Sequence, residues 1–469
     1  MLSSLPWIVR EQYKRLKRSL QMENTPFSGK TSSFLPDPES GRARTRCRMA
    51  LEILEKVLDC VFEERKSADS FLHHYFRMDR RIGSRDRKFY STLIFGVLRY
   101  YGSLRRAFSV REKSLIFYCT AVCAAENIFP GELKGFLELL GLDPLQTFSG
   151  DTFRERLDSF LLSCGEKIVE NTELFGDLFY KYIPFEGDGA FVDRMQKRPP
   201  LWLRCNSAQN REKIAVALEK MGFPVKRDPF VREALALCGE KRLNLQEFAS
   251  YRNGEVEVQD LSSQAIGLCA PLEKGQFWWD CCAGGGGKTL LLGARLQEMG
   301  GGSIVASDIR EWKLTELLSR AGRAHLRNIK TCVWNGADSL PEENFRERFD
   351  GVLVDAPCSS SGRWRRNPEG RFLLTEEDLF SITQLQYSIL CSAAPAVKKG
   401  GVLLYGTCSF FTVENEGNVQ KFLSEHPDFA LEDFPHPLTG EPSGGMMRVI
   451  PSETRDCDGS FCARFRRKK

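Results

Sequence analysis

Phe349-Asp-Gly-Val-Leu-Val-Asp355-Ala-Pro-Cys358-Ser359 is an apolar run that ends on a carboxylate, turns through proline and arrives at a thiol. Gly401-Val-Leu-Leu-Tyr-Gly-Thr-Cys408-Ser409 repeats the shape and ends on a second thiol. Runs rich in Val and Leu with glycine at the boundary predict strands covered on both faces of a parallel sheet. Ligands of open parallel sheets sit beyond the carboxyl ends of the strands. Asp355, Cys358 and Cys408 are therefore expected to meet at one site.

Upstream, Phe277-Trp-Trp-Asp280 reads as a short strand, and Cys281-Cys282-Ala283-Gly284-Gly285-Gly286-Gly287-Lys288-Thr289 as the turn into a helix. Consecutive glycines let backbone approach a ligand and adopt positive φ. A phosphate-binding Gly-x-x-x-x-Gly-Lys-[Ser/Thr] loop would need glycine where Cys282 stands, so that reading fails. Ser303-Ile-Val-Ala-Ser-Asp308 is the next strand. Its carboxylate falls about twenty residues past the loop, where an acid binds ribose hydroxyls in dinucleotide folds; S-adenosylmethionine carries the same ribose. Thr331-Cys-Val-Trp-Asn-Gly-Ala-Asp338 reads as a third strand and loop.

A thiolate is nucleophilic near neutral pH, adds reversibly and leaves again. Beside a carboxylic acid it suits attack on C6 of a cytosine ring, the acid near N3 absorbing electron density while C5 becomes able to take a methyl group. Isolated free cysteines are usually buried as small hydrophobes. Two at strand ends, one three residues after a carboxylate, favour chemistry over packing.

The 469 residues allow two or three domains. With 42% hydrophobic and 28% charged residues the composition is that of a globular protein, and a net charge of +5 suggests an anionic partner. Sixteen cysteines without a Cys-x-x-Cys pair and only five histidines argue against zinc and for a reducing compartment. Cys119 and Cys123, a helical turn apart, are expected to pack. No apolar stretch approaches a membrane span, and the start is too quickly charged for a secretory signal.

Residues 1–41, punctuated by Pro26, Pro36 and Pro38, are expected to be a flexible lead-in. From 42 to 165 the pattern is helical, with Ala50, Ile53, Leu54, Val57, Leu58 and Val61 on one face. Nine arginines between Arg77 and Arg111, interleaved with Phe89, Tyr90, Tyr100 and Tyr101, fit either phosphate binding or a solvated face with local ion pairs to Asp79 and Asp86. A helical linker over 166–197 and a small α/β unit over 198–264 follow, the latter with strands at Leu201–Asn206 and Glu255–Gln259 and a helix at Gln209–Met221. The catalytic domain is expected over 265–469. Trp364 among Arg363, Arg365 and Arg366 suggests a base-binding loop, with a surface loop anchored by one buried tryptophan as the alternative, and the basic end Arg464–Lys469 a tail that touches RNA or stays disordered.

Asp355-Ala-Pro-Cys358-Ser with Ser361-Gly-Arg-Trp-Arg-Arg-Asn-Pro368, and Tyr405-Gly-Thr-Cys408-Ser with Glu414-Asn415, resemble the RsmB/NOP (Sun) family of S-adenosylmethionine-dependent RNA cytosine-C5 methyltransferases. Ile82-Gly-Ser-Arg-Asp-Arg and Phe95-Gly-Val-Leu-Arg-Tyr-Tyr resemble its helical NusB-like domain, and Arg204-x-Asn206 its small α/β subdomain. The resemblance implies an α/β protein with a Rossmann-like domain carrying a mostly parallel sheet, preceded by an α/β subdomain that helps to build an RNA groove and a helical RNA-docking domain. It implies Cys408 as the covalent nucleophile, Cys358 as the thiol assisting release, and cofactor contacts from Cys282, Ala283, Gly284, Gly285, Gly286, Gly287, Lys288, Asp308, Asp338 and Asp355. Asp308 would take the ribose and Asp338 the adenine. The expected substrate is RNA, 16S ribosomal RNA foremost; the expected protein is a cytoplasmic monomer without metal or membrane. A catalytically impaired RNA-binding assembly factor is the alternative, and a DNA cytosine methyltransferase is disfavoured by the second thiol motif. The family loop reads Cys-Ala-Ala-Pro-Gly-Gly-Lys, so Gly284 and Gly285 replace Ala-Pro, from which weaker or more plastic cofactor binding is expected.

Overall fold

The computed structural model describes residues 38–469 except Arg80, Glu112, Glu240, Arg242, Ala337 and Asp338. Most of the expected lead-in therefore lies outside the described residues, and a helix begins at Pro38 within its last few. The described chain divides into two compact units, residues up to Gly176 with Asn367–Glu369, and Asp177–Arg366 with Gly370–Lys469. Among the described residues no helix is long and apolar enough to cross a membrane.

The first unit is helical, its longest helices being Pro38–Phe62 and Ser84–Phe108. The periodic face read from the sequence is the buried one: Ala50, Ile53, Leu54, Val57 and Val61 are all in the core, and Cys119 and Cys123 are packed within it. Phe89, Tyr90 and Tyr100 are core residues too, so they are not stacking platforms. Several of the clustered arginines form local pairs, Arg81 with Asp79 at 2.8 Å and Arg111 with Glu166 at 2.6 Å. Arg77, Arg85 and Arg105 are exposed.

The second unit holds two sheets. The smaller is antiparallel, in the order β2-β3-β1-β4, with β1 Leu201–Cys205, β2 Val225–Arg227, β3 Ala234–Leu237 and β4 Val256–Val258. The helix Arg211–Lys220 packs Ile214, Ala215 and Leu218 against Leu203, Leu235 and Val256. The larger sheet contains β5 Phe277–Asp280, β6 Ser303–Asp308, β7 Ile329–Val333, β8 Phe349–Asp355, β9 Val397–Thr407, β10 Phe429–Leu431, β11 Met446–Val449 and β12 Ser460–Arg467. Its order is β10-β12-β9-β8-β5-β6-β7, with β11 also paired to β12. The strands from β9 to β7 are parallel, and β12 is antiparallel to β9.

Successive strand residues face opposite sides. Trp278, Leu353 and Leu404 enter one core, whereas Trp279, Val352, Val354 and Leu403 enter the other. Both faces are thus covered, which is why residues 351–354 of β8 and 401–406 of β9 are continuous apolar runs. β12 corrects the expectation of a disordered or RNA-touching tail. Arg464 donates to the carbonyl of Cys269 at 3.2 Å, Arg466 to that of Gly400 at 2.8 Å, and Arg467 to that of Val397 at 2.6 Å.

Where β8 crosses β5, Gly351 lies under the Trp278 indole, and an added Cβ would sit 2.4 Å from ring atoms of a fully buried side chain. Gly351→Ala should cost about 1–3 kcal/mol by overpacking. Urea unfolding of the variant beside the parent measures it; an unchanged midpoint would refute the packing account.

Candidate active site

The strand order reverses between β5 and β8: chain succession runs outward through β6 and β7 on one side and through β9 on the other. Such a switch point opens a crevice at the carboxyl ends of the strands. Four of these ends carry Asp280, Asp308, Asp355 and Thr407, the last followed by Cys408.

The two thiols meet. Pairing of Asp355 with Gly406 aligns the ends of β8 and β9, and the loops beyond bring Cys358 Sγ within 3.1 Å of Cys408 Sγ. Both cysteines are half-buried. Cys408 Sγ lies 3.4 Å from Ser360 Oγ, and the Cys408 N–H donates to Cys358 Sγ at 3.3 Å. The proton that Cys358 lends, with help from the Arg363 charge and the Ser360 hydroxyl, holds the Cys408 thiol below the ordinary value despite burial. The same shared proton, together with burial, lifts Cys358 well above it. Of the two thiols, Cys408 is the one whose ionised form the surroundings favour.

Lys288 Nζ donates to Asp355 Oδ2 at 2.6 Å. Burial pulls the Lys288 ammonium down, but Asp355 more than offsets this and leaves it raised. Asp280 accepts from Thr289 Oγ1 at 2.6 Å on one oxygen, while its buried Oδ1 has no partner. Burial, reinforced by the charge of Asp355, pushes Asp280 up to about 7 against the Thr289 bond and Lys288.

The glycine loop is tied at both substituted positions. Gly284 N–H donates to Asp308 Oδ2 at 2.9 Å, and the Gly285 carbonyl accepts from Arg320 Nη1 at 2.5 Å. Gly284 and Gly286 have φ of 53° and 85°. A Cβ on Gly286 would lie 2.5 Å from Leu317 Cγ. Asp308 is buried and also paired with Arg310 Nε at 2.9 Å; burial raises its carboxyl, but the bonds from Arg310 and Gly284 bring it below the ordinary value. Asp338 lies outside the described residues.

The loop of Trp364 is not a base-binding surface. Trp364 is 2% exposed against Phe179 and Phe411, and Arg365 is 0% exposed, donating to the carbonyls of Lys197 and Cys457 and to Asp456. Arg366 bridges Asp260 and Asp458 at 2.8 and 2.7 Å. Only Arg363 of the basic trio keeps a half-exposed side chain. Sequence reasoning passed over Asp280, although its place at a strand end before the glycine loop is the signal that singled out Asp308. It also gave no role to Glu414, which is buried behind the thiol loops.

Residues 268–466 match the family model of the 16S rRNA methyltransferases RsmB/F. Over these residues the chain is similar to that family. Over 279 residues the chain is 32% identical to the ribosomal RNA small subunit methyltransferase B of Salmonella paratyphi C (strain RKS4594), covering 59% of this chain and 62% of the relative. The match thus spans under two thirds of the length of such curated relatives. Of solved structures, a methyltransferase homolog from Pyrococcus horikoshii superposes with a TM-score of 0.52 at 26% identity, over 66% of this chain and 97% of that one. The crystal structure of PH0851 shares the fold with a TM-score of 0.66 at 24% identity, over 93% of this chain and 100% of that one. The RsmB/F resemblance read from the two thiol motifs and the Rossmann-like sheet are borne out.

Two outcomes follow for this domain. A proline at 285 would force residue 284 to negative φ, so grafting the family's Ala-Pro onto Gly284-Gly285 should cost about 1–2 kcal/mol, read as a lower urea midpoint. For Asp280, a folded-state value near 7 against an ordinary unfolded carboxylate means that the native state binds the extra proton. Stability should therefore fall as pH rises from about 4 to 7, and Asp280→Asn should remove that slope in urea midpoints taken across the range.

Proposed function

We propose that this chain is an S-adenosylmethionine-dependent methyltransferase that modifies C5 of cytosine in RNA, small-subunit ribosomal RNA foremost, through a covalent bond from Cys408 to C6. The observation that carries the reading is the pair of half-buried sulfurs 3.1 Å apart at the ends of β8 and β9, beside the Lys288–Asp355 pair.

The residues fit the cofactor. Asp308 stands at the strand end where a ribose diol binds in such folds, the Gly284–Gly287 turn offers a backbone surface without side chains, and buried Asp280, at the neighbouring strand end, has an unpaired Oδ1. When bound, S-adenosylmethionine supplies an electrophilic methyl group. Asp338 is assigned to the adenine on family resemblance.

The charge on Cys408 forms the bond to C6, and the displaced electron density is balanced by a proton delivered at N3 through the Asp355–Lys288 pair. C5 then accepts the methyl group. Once Cys408 is bonded to carbon it no longer holds the Cys358 proton, and the negative neighbour that raised Cys358 is gone. Cys358 then gives its own proton up to solvent and acts as base. It takes the C5 proton, the C5–H electrons restore the C5–C6 double bond, Cys408 departs as thiolate, and the N3 proton returns to the pair. Arg363, half-exposed near Cys408, supports the thiolate.

Trapping tests the reading. With RNA and cofactor, Cys358→Ala should accumulate a protein–RNA adduct that survives denaturing gels, while Cys408→Ala gives none. The reverse pattern would exchange the roles of the two thiols. No adduct from either variant, with unmodified RNA from the parent, would leave an RNA-binding assembly factor.

A further inference from the structure

We propose that Glu414 is a positioning residue that sets the separation of the two thiols by holding both of their loops through one carboxylate. The inference rests on the reading of Cys358 and Cys408 as a working pair.

Glu414 is wholly buried. Its Oε1 accepts from the Ser359 N–H at 2.8 Å and from Gln386 Nε2 at 2.7 Å. Its Oε2 accepts from the Ser359 hydroxyl at 2.5 Å and from the Ser409 hydroxyl. Ser359 directly follows Cys358 and Ser409 directly follows Cys408, so each sulfur hangs one residue from a serine fixed to the same group. The loops come from strands paired in the sheet, yet the sheet register ends at Asp355 and Gly406. Beyond that point Glu414 takes over the alignment.

Glu414 is itself braced. Its carbonyl accepts from the Tyr405 hydroxyl at 2.6 Å, and Gln386 also donates to the Pro357 carbonyl at 2.9 Å, two residues before Ser359. Four donors converge on the side chain, and only a carboxylate accepts on both oxygens. A glutamine would present an amide donor at one of them. Glu414 has no bond to either sulfur; its charge adds to the rise of the Cys358 thiol, but its hold on the geometry passes through the serines. Proton sharing between sulfurs depends on their distance, and a misplacement of about 1 Å in a reacting group costs roughly a hundredfold.

The test uses the full chain with Glu414→Gln and, separately, Ser409→Ala, which removes one hydroxyl without opening a cavity and serves should the first variant fail to fold. The measurements are the thermal midpoint, kcat with the KM for RNA and for cofactor, and the rate at which iodoacetamide alkylates Cys408 across pH, located by mass spectrometry. A positioning role predicts a fall in kcat of about tenfold or more with cofactor KM changed less than about twofold. It also predicts slower Cys408 alkylation at pH 7, because Cys358 no longer lends its proton. A folded variant with kcat and the alkylation profile both unchanged overturns the proposal, as does a loss of kcat that tracks only the loss of folded protein. Alkylation needs no RNA, so it judges Glu414 by itself; failure of the functional reading appears instead as unmodified RNA from the parent chain.

Discussion

Register between β8 and β9 is the constraint from which the site follows. Parallel strands that pair Val354 with Tyr405 and Asp355 with Gly406 must release their loops side by side. A slip by a single residue would turn every buried side chain to the other face. Here the alternation of Val352, Leu353 and Val354 between two separate cores fixes that choice, so ordinary apolar packing decides where the two sulfurs emerge. The reactive geometry is inherited from the interior of the sheet and then refined by polar groups.

Those polar groups are economical in number and each serves two neighbours. Asp308 holds the glycine turn from one side while Arg320 holds it from the other, and Arg320 is in turn paired with buried Glu257 of β4 at 2.9 Å. The small antiparallel sheet is thereby connected to the turn through a charged side chain. Glycine at 284 is required by its left-handed backbone, and the Leu317 side chain leaves no room for a Cβ at 286. The departure from the family's Ala-Pro is therefore a change of backbone conformation rather than a simple loosening.

Much of this was legible in the sequence because buried strands announce themselves: residues 351–354 of β8 and 401–406 of β9 are unbroken apolar runs, and the helix face of Ile53, Leu54 and Val57 repeats cleanly. The misses have physical causes. Ala234-Leu-Ala-Leu237 has the composition of a helix, but lies fully buried between two partners as β3, where tertiary pairing overrides propensity. β2 is only Val225–Arg227, too short and too polar for any period to show. β12 was obscured by its arginines, whose stems run along the sheet while their heads reach backbone carbonyls. At the site, the strand-end aspartates and the thiols were readable one by one. The support of Glu414 was not, since it depends on loops from distant parts of the chain folding back on a residue with no local pattern.

The inward use of arginine bears on how tightly a polyanion would be held. Arg365, Arg366, Arg464 and Arg467 are committed to internal carbonyls and carboxylates, and a guanidinium so occupied displaces no condensed counter-ion from a nucleic acid. The electrostatic share of affinity scales with phosphates neutralised at the surface, not with the basic residues in the chain. These four side chains would accordingly add nothing to the ionic-strength dependence of a ligand of this unit, which is left to the exposed basic residues.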